Sequence, residues 1–135
     1  MDENRLKHSL AVANKMIELN NGKNNEEIFL IGYLHDIGYK FTDNKIEHNK
    51  VGGEILKNAG FKYWQEIYYH GEINCKYNSY YLDLLNKADM MIDSQGNDVG
   101  FENRLEDIKN RYREKSSVYI KANELIKELI RKEVK

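Results

Sequence analysis

The chain has no proline, one cysteine (Cys75), one threonine (Thr42) and five valines in 135 residues. A single cysteine excludes an intramolecular disulfide framework, and with it a cage of thiolates around a metal. Missing proline and scarce β-branched threonine and valine remove the usual breakers of helix and favour it over strand, although isoleucine is plentiful. No apolar stretch approaches the roughly 20 residues that a membrane span needs. The net charge is −1, from 21 basic and 22 acidic residues, so no overall field draws the chain to nucleic acid or to an anionic membrane. That balance leaves open a local basic pocket for a phosphate.

What is present is a globular composition, 41% hydrophobic and 32% charged, of a size that suits one domain covering residues 1–135. The first residues, Met1 to Arg5, are polar and acidic, unlike a signal peptide, and the expectation is a cytoplasmic protein. Leu6, Leu10, Ala13 and Ile17 follow the spacing of one helix face, and Asn20-Asn21-Gly22 supplies a stop. A second helix is predicted from about Asn25 to His35, carrying Ile28, Leu30, Ile31 and Leu34, with Gly38 as its stop signal. A third carries Val51, Ile55 and Leu56 up to Gly60. A short one holds Trp64 and Ile67, and another runs from about Ser79 to Met91. Asp93 to Asn97 reads as a turn. Two amphipathic helices follow, one with Leu105 and Ile108, the last with Val118, Ala122, Leu125, Ile126 and Leu129. The reading is an all-α, single-domain helical bundle of about seven helices.

Only four histidines occur, His8, His35, His48 and His70, each within a predicted helix or at its end. His48 shares a face with Val51, Gly52 and Ile55, His8 with Ala11 and Val12, and Asp89 with Leu85 and Leu82; His35 follows Ile31 by one turn. These polar groups therefore point toward an interior or a cleft. Taken singly, each histidine reads as an ordinary core or surface residue, and Asp89 as a backbone cap or a partner of Arg104. Taken together, imidazoles and carboxylates from several helices satisfy one another poorly unless a cation lies among them, and a divalent metal is their normal companion. Neighbours on a helix diverge by about 100°, so His35 and Asp36 would grip an ion lying between their directions.

The order His8, His35-Asp36, Asp89 resembles the H…HD…D signature of the HD-domain superfamily of metal-dependent phosphohydrolases. Arg5-Leu6-Lys7-His8-Ser9 is similar to that family's RxxHS opening, Tyr33 to Gly38 to its LHDIG core, and Lys87-Ala88-Asp89 to its final ADxxxD element. His48 and His70 resemble the two extra histidines of branches with a dinuclear centre, among them symmetrical dinucleoside tetraphosphate hydrolases and HD-GYP cyclic-dinucleotide phosphodiesterases. Beyond Asp89 the chain departs from both branches, and Phe101 to Tyr112 looks more like small HD proteins.

The resemblance implies a phosphohydrolase acting through metal-activated water on a phosphate ester or anhydride, a nucleotide or dinucleotide. It implies one or two divalent ions, with Fe, Mn, Mg, Ni and Zn all open. Asp36 would be the catalytic and bridging residue, His8, His35 and Asp89 would complete one metal, and His48 and His70 the other. Arg5, three residues before His8, is placed for a phosphate oxygen. Lys40 is a second candidate, displaced by one place from the HDxGK of many relatives because Tyr39 follows the glycine. Asp43 and Glu47 read as helix caps. The tyrosines at 68–69 and 77–81 could stack a base, and half-buried packing is their simpler role. The last helix could support a homodimer or cover its own core. Three rivals stay open: a single-metal nucleotidase using His8, His35, Asp36 and Asp89, a non-catalytic metal or nucleotide sensor, and a helical interaction domain with four incidental histidines.

Overall fold

A computed structural model describes residues 2–44 and 46–133. Met1, Lys45, Val134 and Lys135, which the expected domain of 1–135 includes, lie outside the described residues. Seven α-helices occur among the described residues: α1 Glu3–Leu19, α2 Asn25–Leu34, α3 His48–Asn58, α4 Trp64–Tyr69, α5 Tyr80–Asp89, α6 Gly100–Tyr112 and α7 Ser117–Glu133. A 3₁₀ turn, Ile37–Lys40, lies between α2 and α3. No strand forms among these residues beyond one isolated bridge between Ile92 and Asp98. No described helix is long and apolar enough to cross a membrane.

Local chemistry sets the helix starts. The Asp2 carboxylate accepts the Arg5 N–H at 2.8 Å and caps α1. Ser79 accepts the Leu82 N–H at 2.9 Å and caps α5, and its hydroxyl donates to the buried Glu66 at 2.6 Å, as the Tyr77 hydroxyl does. At the start of α3 the N-cap is Glu47, which makes no side-chain cap bond, and Asp43 is not its cap; Asn44 instead orders the approach to the helix, accepting from Ile46 N–H at 2.9 Å and Glu47 N–H at 3.3 Å.

The helices pair α1 with α2, α3 with α4, and α6 with α7, while α5 touches α1, α2, α4 and α7. The first core gathers Val12, Met16, Ile28, Ile31, Ile67, Leu85, Ala88 and Ile92 around α5. The second is built by Ile108, Ala122, Leu125, Ile126 and Leu129 of α6 and α7, with Met90 reaching in from the end of α5. The last helix thus covers a core of its own.

Two expectations change. Leu6 and Leu10, read as the inward face of α1, are 42% and 45% exposed, and Leu30 of α2 is 46% exposed. The inward face of α1 is instead His8, Ser9, Val12, Ala13 and Met16, because this face must both meet α2 and deliver His8 to the interior. Gly38 does not end α2, which stops at Leu34; it sits within the 3₁₀ turn against α3. A Cβ at Gly38 would lie 1.9 Å from the His48 carbonyl oxygen, so only glycine lets the 3₁₀ turn and the start of α3 approach this closely. Gly32 does the same for α1 and α2, where a Cβ would meet the Ala13 Cα at 2.6 Å.

Candidate metal centre

His8 projects inward from the second turn of α1, and its Nδ1 lies 2.8 Å from the Asp93 carbonyl oxygen. His35 is the residue that closes α2, and its Nδ1 turns back to the Gly32 carbonyl at 2.6 Å. His70 closes α4 in the same way, with Nδ1 2.5 Å from the Ile67 carbonyl. A carbonyl oxygen only accepts, so each of these three Nδ1 atoms carries a proton and donates it. In the neutral ring Nε2 then holds a lone pair, and its direction is fixed by the backbone behind it.

Those Nε2 atoms converge on two carboxylates. His8 Nε2 is 2.9 Å from Asp89 Oδ1, and His35 Nε2 is 3.4 Å from the same oxygen. Asp36 turns its two oxygens in different directions. Oδ2 lies 3.3 Å from His35 Nε2 and 3.8 Å from His8 Nε2; Oδ1 lies 3.1 Å from His48 Nε2 and 3.6 Å from His70 Nε2. His48 Nε2 and His70 Nε2 are 3.2 Å apart. His8, His35, Asp36, His70 and Asp89 are all buried, and His35 is wholly so.

Lone pairs aimed at carboxylate oxygens repel unless something positive lies between them. The His35 Nε2 atom is buried without a hydrogen-bond partner, which marks where that positive group belongs. Two groupings, His8-His35-Asp89 and His35-Asp36-His70, each bring their ligand atoms within 4.8 Å of one another. Bonds of about 2.1 Å to nitrogen and oxygen give ligand–ligand edges of roughly 3.0–3.4 Å in octahedral or tetrahedral coordination, the range seen across much of this cluster. The residues could therefore hold a divalent cation, and neutral imidazoles backed by carbonyls are its usual ligands.

Protonation without a metal follows from the same geometry. Burial pushes His35 down, but the Asp36 and Asp89 carboxylates outweigh it and lift the imidazole to about 9. For Asp36, burial raises the carboxyl, yet His35, His48 and His70 hold it well below the usual range. Asp89 behaves likewise under His35 and His8. His70 is lowered, first by burial, which outweighs the upward pull of Asp36.

The cluster floors a cavity of about 490 Å³, a size typical of small-molecule sites. Arg5 and Tyr39 form one wall; Arg104, Arg111 and Tyr112 of α6 and Val118, Ala122 and Leu125 of α7 form another. Lys40 is exposed at the end of the 3₁₀ turn and does not line this space. Arg104 does not pair with the Asp89 carboxylate: Nε donates to the Asp89 main-chain carbonyl at 3.4 Å, and its ion pair is with Asp107 at 2.8 Å. The tyrosines at 68, 69 and 77 pack on one another away from the cavity.

Three contributions were not drawn from the sequence. The main-chain carbonyls behind His8, His35 and His70 leave no trace in residue type. Tyr39 was read only as an interruption before Lys40. The wall from α6 did carry a signal, since Arg104, Ile108 and Arg111 follow one helix face, the face that lines the cavity.

A family model for the HD domain matches residues 5–92, from Arg5 to Ile92, and so takes in all six clustered side chains and leaves α6 and α7 outside it. No curated protein and no solved structure matches this chain. Because that match covers well over half of the sequence, the chain belongs to the HD domain family, whose members generally are metal-dependent phosphohydrolases that bind divalent metals.

Proposed function

We propose that this chain hydrolyses a phosphate ester or anhydride of a small phosphorylated molecule, a nucleotide or dinucleotide, at a centre of two divalent cations. One observation carries the reading: the two oxygens of Asp36 face different sets of imidazoles, His8 and His35 on one side, His48 and His70 on the other. Asp36 with His8, His35 and Asp89 on one side, and with His48 and His70 on the other, would hold two such ions. Divalent cations held there supply Lewis-acid charge and lower the pKa of water toward neutrality.

The protein's own groups do the rest. Carbonyls of Gly32, Ile67 and Asp93 hold three imidazoles in one tautomer and one orientation, so no reorganisation accompanies ligand binding. Arg5, on the wall above His8, binds a non-bridging phosphate oxygen and aligns phosphorus with the cluster. The apolar side chains of α7 keep bulk water from the opposite wall and receive the organic part of the substrate.

The test is metal content per purified chain, followed by assays on phosphomonoesters, cyclic dinucleotides and dinucleoside polyphosphates with Mn²⁺, Fe²⁺ and Mg²⁺. About two ions per chain and turnover of at least one substrate class are expected. One ion held only by His8, His35, Asp36 and Asp89 would replace the dinuclear centre with a single-metal nucleotidase. Tight nucleotide binding with no turnover under any metal would make the chain a sensor.

A further inference from the structure

Tyr39 sits in the middle of the 3₁₀ turn, half-buried on the cavity wall. The His48 ring lies parallel to its phenol, with centroids 4.1 Å apart and planes at 13°. The Arg5 guanidinium carbon is 3.5 Å from the centroid of the same phenol. Two groups at these distances would overlap if they shared a face, so the phenol is sandwiched, imidazole on one side and guanidinium on the other. A guanidinium carbon this close also requires the group to lie flat on the ring, because an edge-on approach would hold the carbon farther off.

Flat stacking occupies the face of the guanidinium; part of its N–H rim meets the Tyr39 hydroxyl, and the remainder is left for an anion. Arg5 has a second anchor in Asp2, but that ion pair is long, 3.9 Å, and its carboxylate side chain is 68% exposed, so solvent screens it. The ring is the firmer support. It also joins three elements, since Arg5 comes from α1, Tyr39 from the 3₁₀ turn and His48 from α3.

Resting on the phosphate-binding role given to Arg5 above, we propose that Tyr39 is a positioning residue that holds the Arg5 guanidinium flat beside the cluster, so that its donor rim is set for a phosphoryl group before the substrate arrives. A long arginine side chain otherwise gives up rotamer freedom each time it binds an anion. With both faces covered, Tyr39 is not a platform for a nucleobase, and any stacking partner for one must come from elsewhere on the walls.

The experiment measures inorganic phosphate binding to the Mn²⁺-loaded chain by calorimetry, with bound metal assayed on the same samples. Tyr39→Phe keeps the stacked ring and should bind phosphate within about twofold of the parent. Tyr39→Leu should weaken phosphate about five- to tenfold with metal content unchanged. Arg5→Gln should weaken it at least as much, and adding Tyr39→Leu to Arg5→Gln should cost nothing further, since the ring acts through the arginine. The proposal is overturned if Tyr39→Leu binds normally, if its effect adds in full to that of Arg5→Gln, or if it loses metal in step with phosphate, which would assign the effect to His48. A parent chain that binds no phosphate, indistinguishable from Arg5→Gln, would instead sink the phosphate-binding role of Arg5 and the support role with it.

Discussion

Stripped of metal, the chain should be most stable near pH 6.5 and lose stability as the solution becomes alkaline. The perturbation is the titration of His35, whose Nε2 faces Asp36 and Asp89 at 3.3 and 3.4 Å and whose pKa stands at about 9 in the fold against 6.5 for a free side chain. A folded-state pKa above the unfolded one means that the native chain holds the extra proton. Its stabilisation is complete below pH 6.5 and vanishes as pH rises through 9. The full swing is about 3 kcal/mol, at 1.36 kcal/mol per pKa unit, or a fall of roughly 10 °C in melting temperature for a chain of this length. On the acid side His70 is lowered in the fold, so its contribution grows as pH rises to 6.5, while Asp36 and Asp89, held well below 3.8, contribute fully above that value and lose it only as pH falls further. Urea denaturation in a chelator across pH 5 to 9.5 measures the profile. The His35→Gln variant will be less stable throughout, but its alkaline limb should be nearly flat, so the slope and not the level carries the comparison. With metal bound the imidazole is already deprotonated and the alkaline limb should reverse, since metal binding releases protons. An alkaline limb equally steep in His35→Gln, or metal-free stability that climbs from pH 6.5 to 9, would refute the reasoning.

Asp36→Ala should lose most bound metal and abolish the stabilisation that metal confers, about 2.7 kcal/mol at a hundredfold excess over Kd, as read by thermal melts with and without Mn²⁺; metal content equal to the parent's would count against Asp36 as the shared ligand. Gly38→Ala drives a Cβ to 1.9 Å from the His48 carbonyl oxygen, and should cost about 3 kcal/mol or more in urea denaturation. Gly60→Ala, with φ +83° but open space around it, should cost only about 1 kcal/mol from backbone strain. Asp93→Ala removes the acceptor for the Gln95 and Asn97 N–H groups and should cost about 1–2 kcal/mol. Because the same turn holds the carbonyl behind His8, metal affinity measured by titration should also fall about tenfold or more.

The helical architecture was legible because it rests on local rules. Ser79 before Leu82, the stripe from Val118 to Leu129 and the Asp93 to Asn97 turn each declare themselves within a few residues. The apolar faces carrying His8, His35, His48 and Asp89 pointed those four inward, and the resemblance to the HD family added Asp36 and His70 to the set that the fold brings together. What was hidden depends on contacts distant in sequence. The inward face of α1 turned away from Leu6 and Leu10 because of what α2 and α5 present to it. Gly38 looked like a helix stop, yet its cause is the His48 carbonyl ten residues later. Lys40 and Tyr39 are neighbours, and only the sense of one 3₁₀ turn decides that the tyrosine faces the cavity and the lysine faces water.

His35 and His70 each end a helix by folding their ring back onto that helix's own carbonyl three residues earlier. The aim of these two imidazoles is therefore written within four consecutive residues and owes nothing to the α6–α7 hairpin, which has a separate core. On the proposed function, the side chains that would hold ions and the hairpin that would meet the organic portion of a ligand belong to different cores. With Arg104 and Asp107 kept, since they hold the Asp89 carbonyl and the Ser94 N–H, the rest of the hairpin, residues 108–125, is the natural place to engineer selectivity without disturbing the aim of His35 and His70.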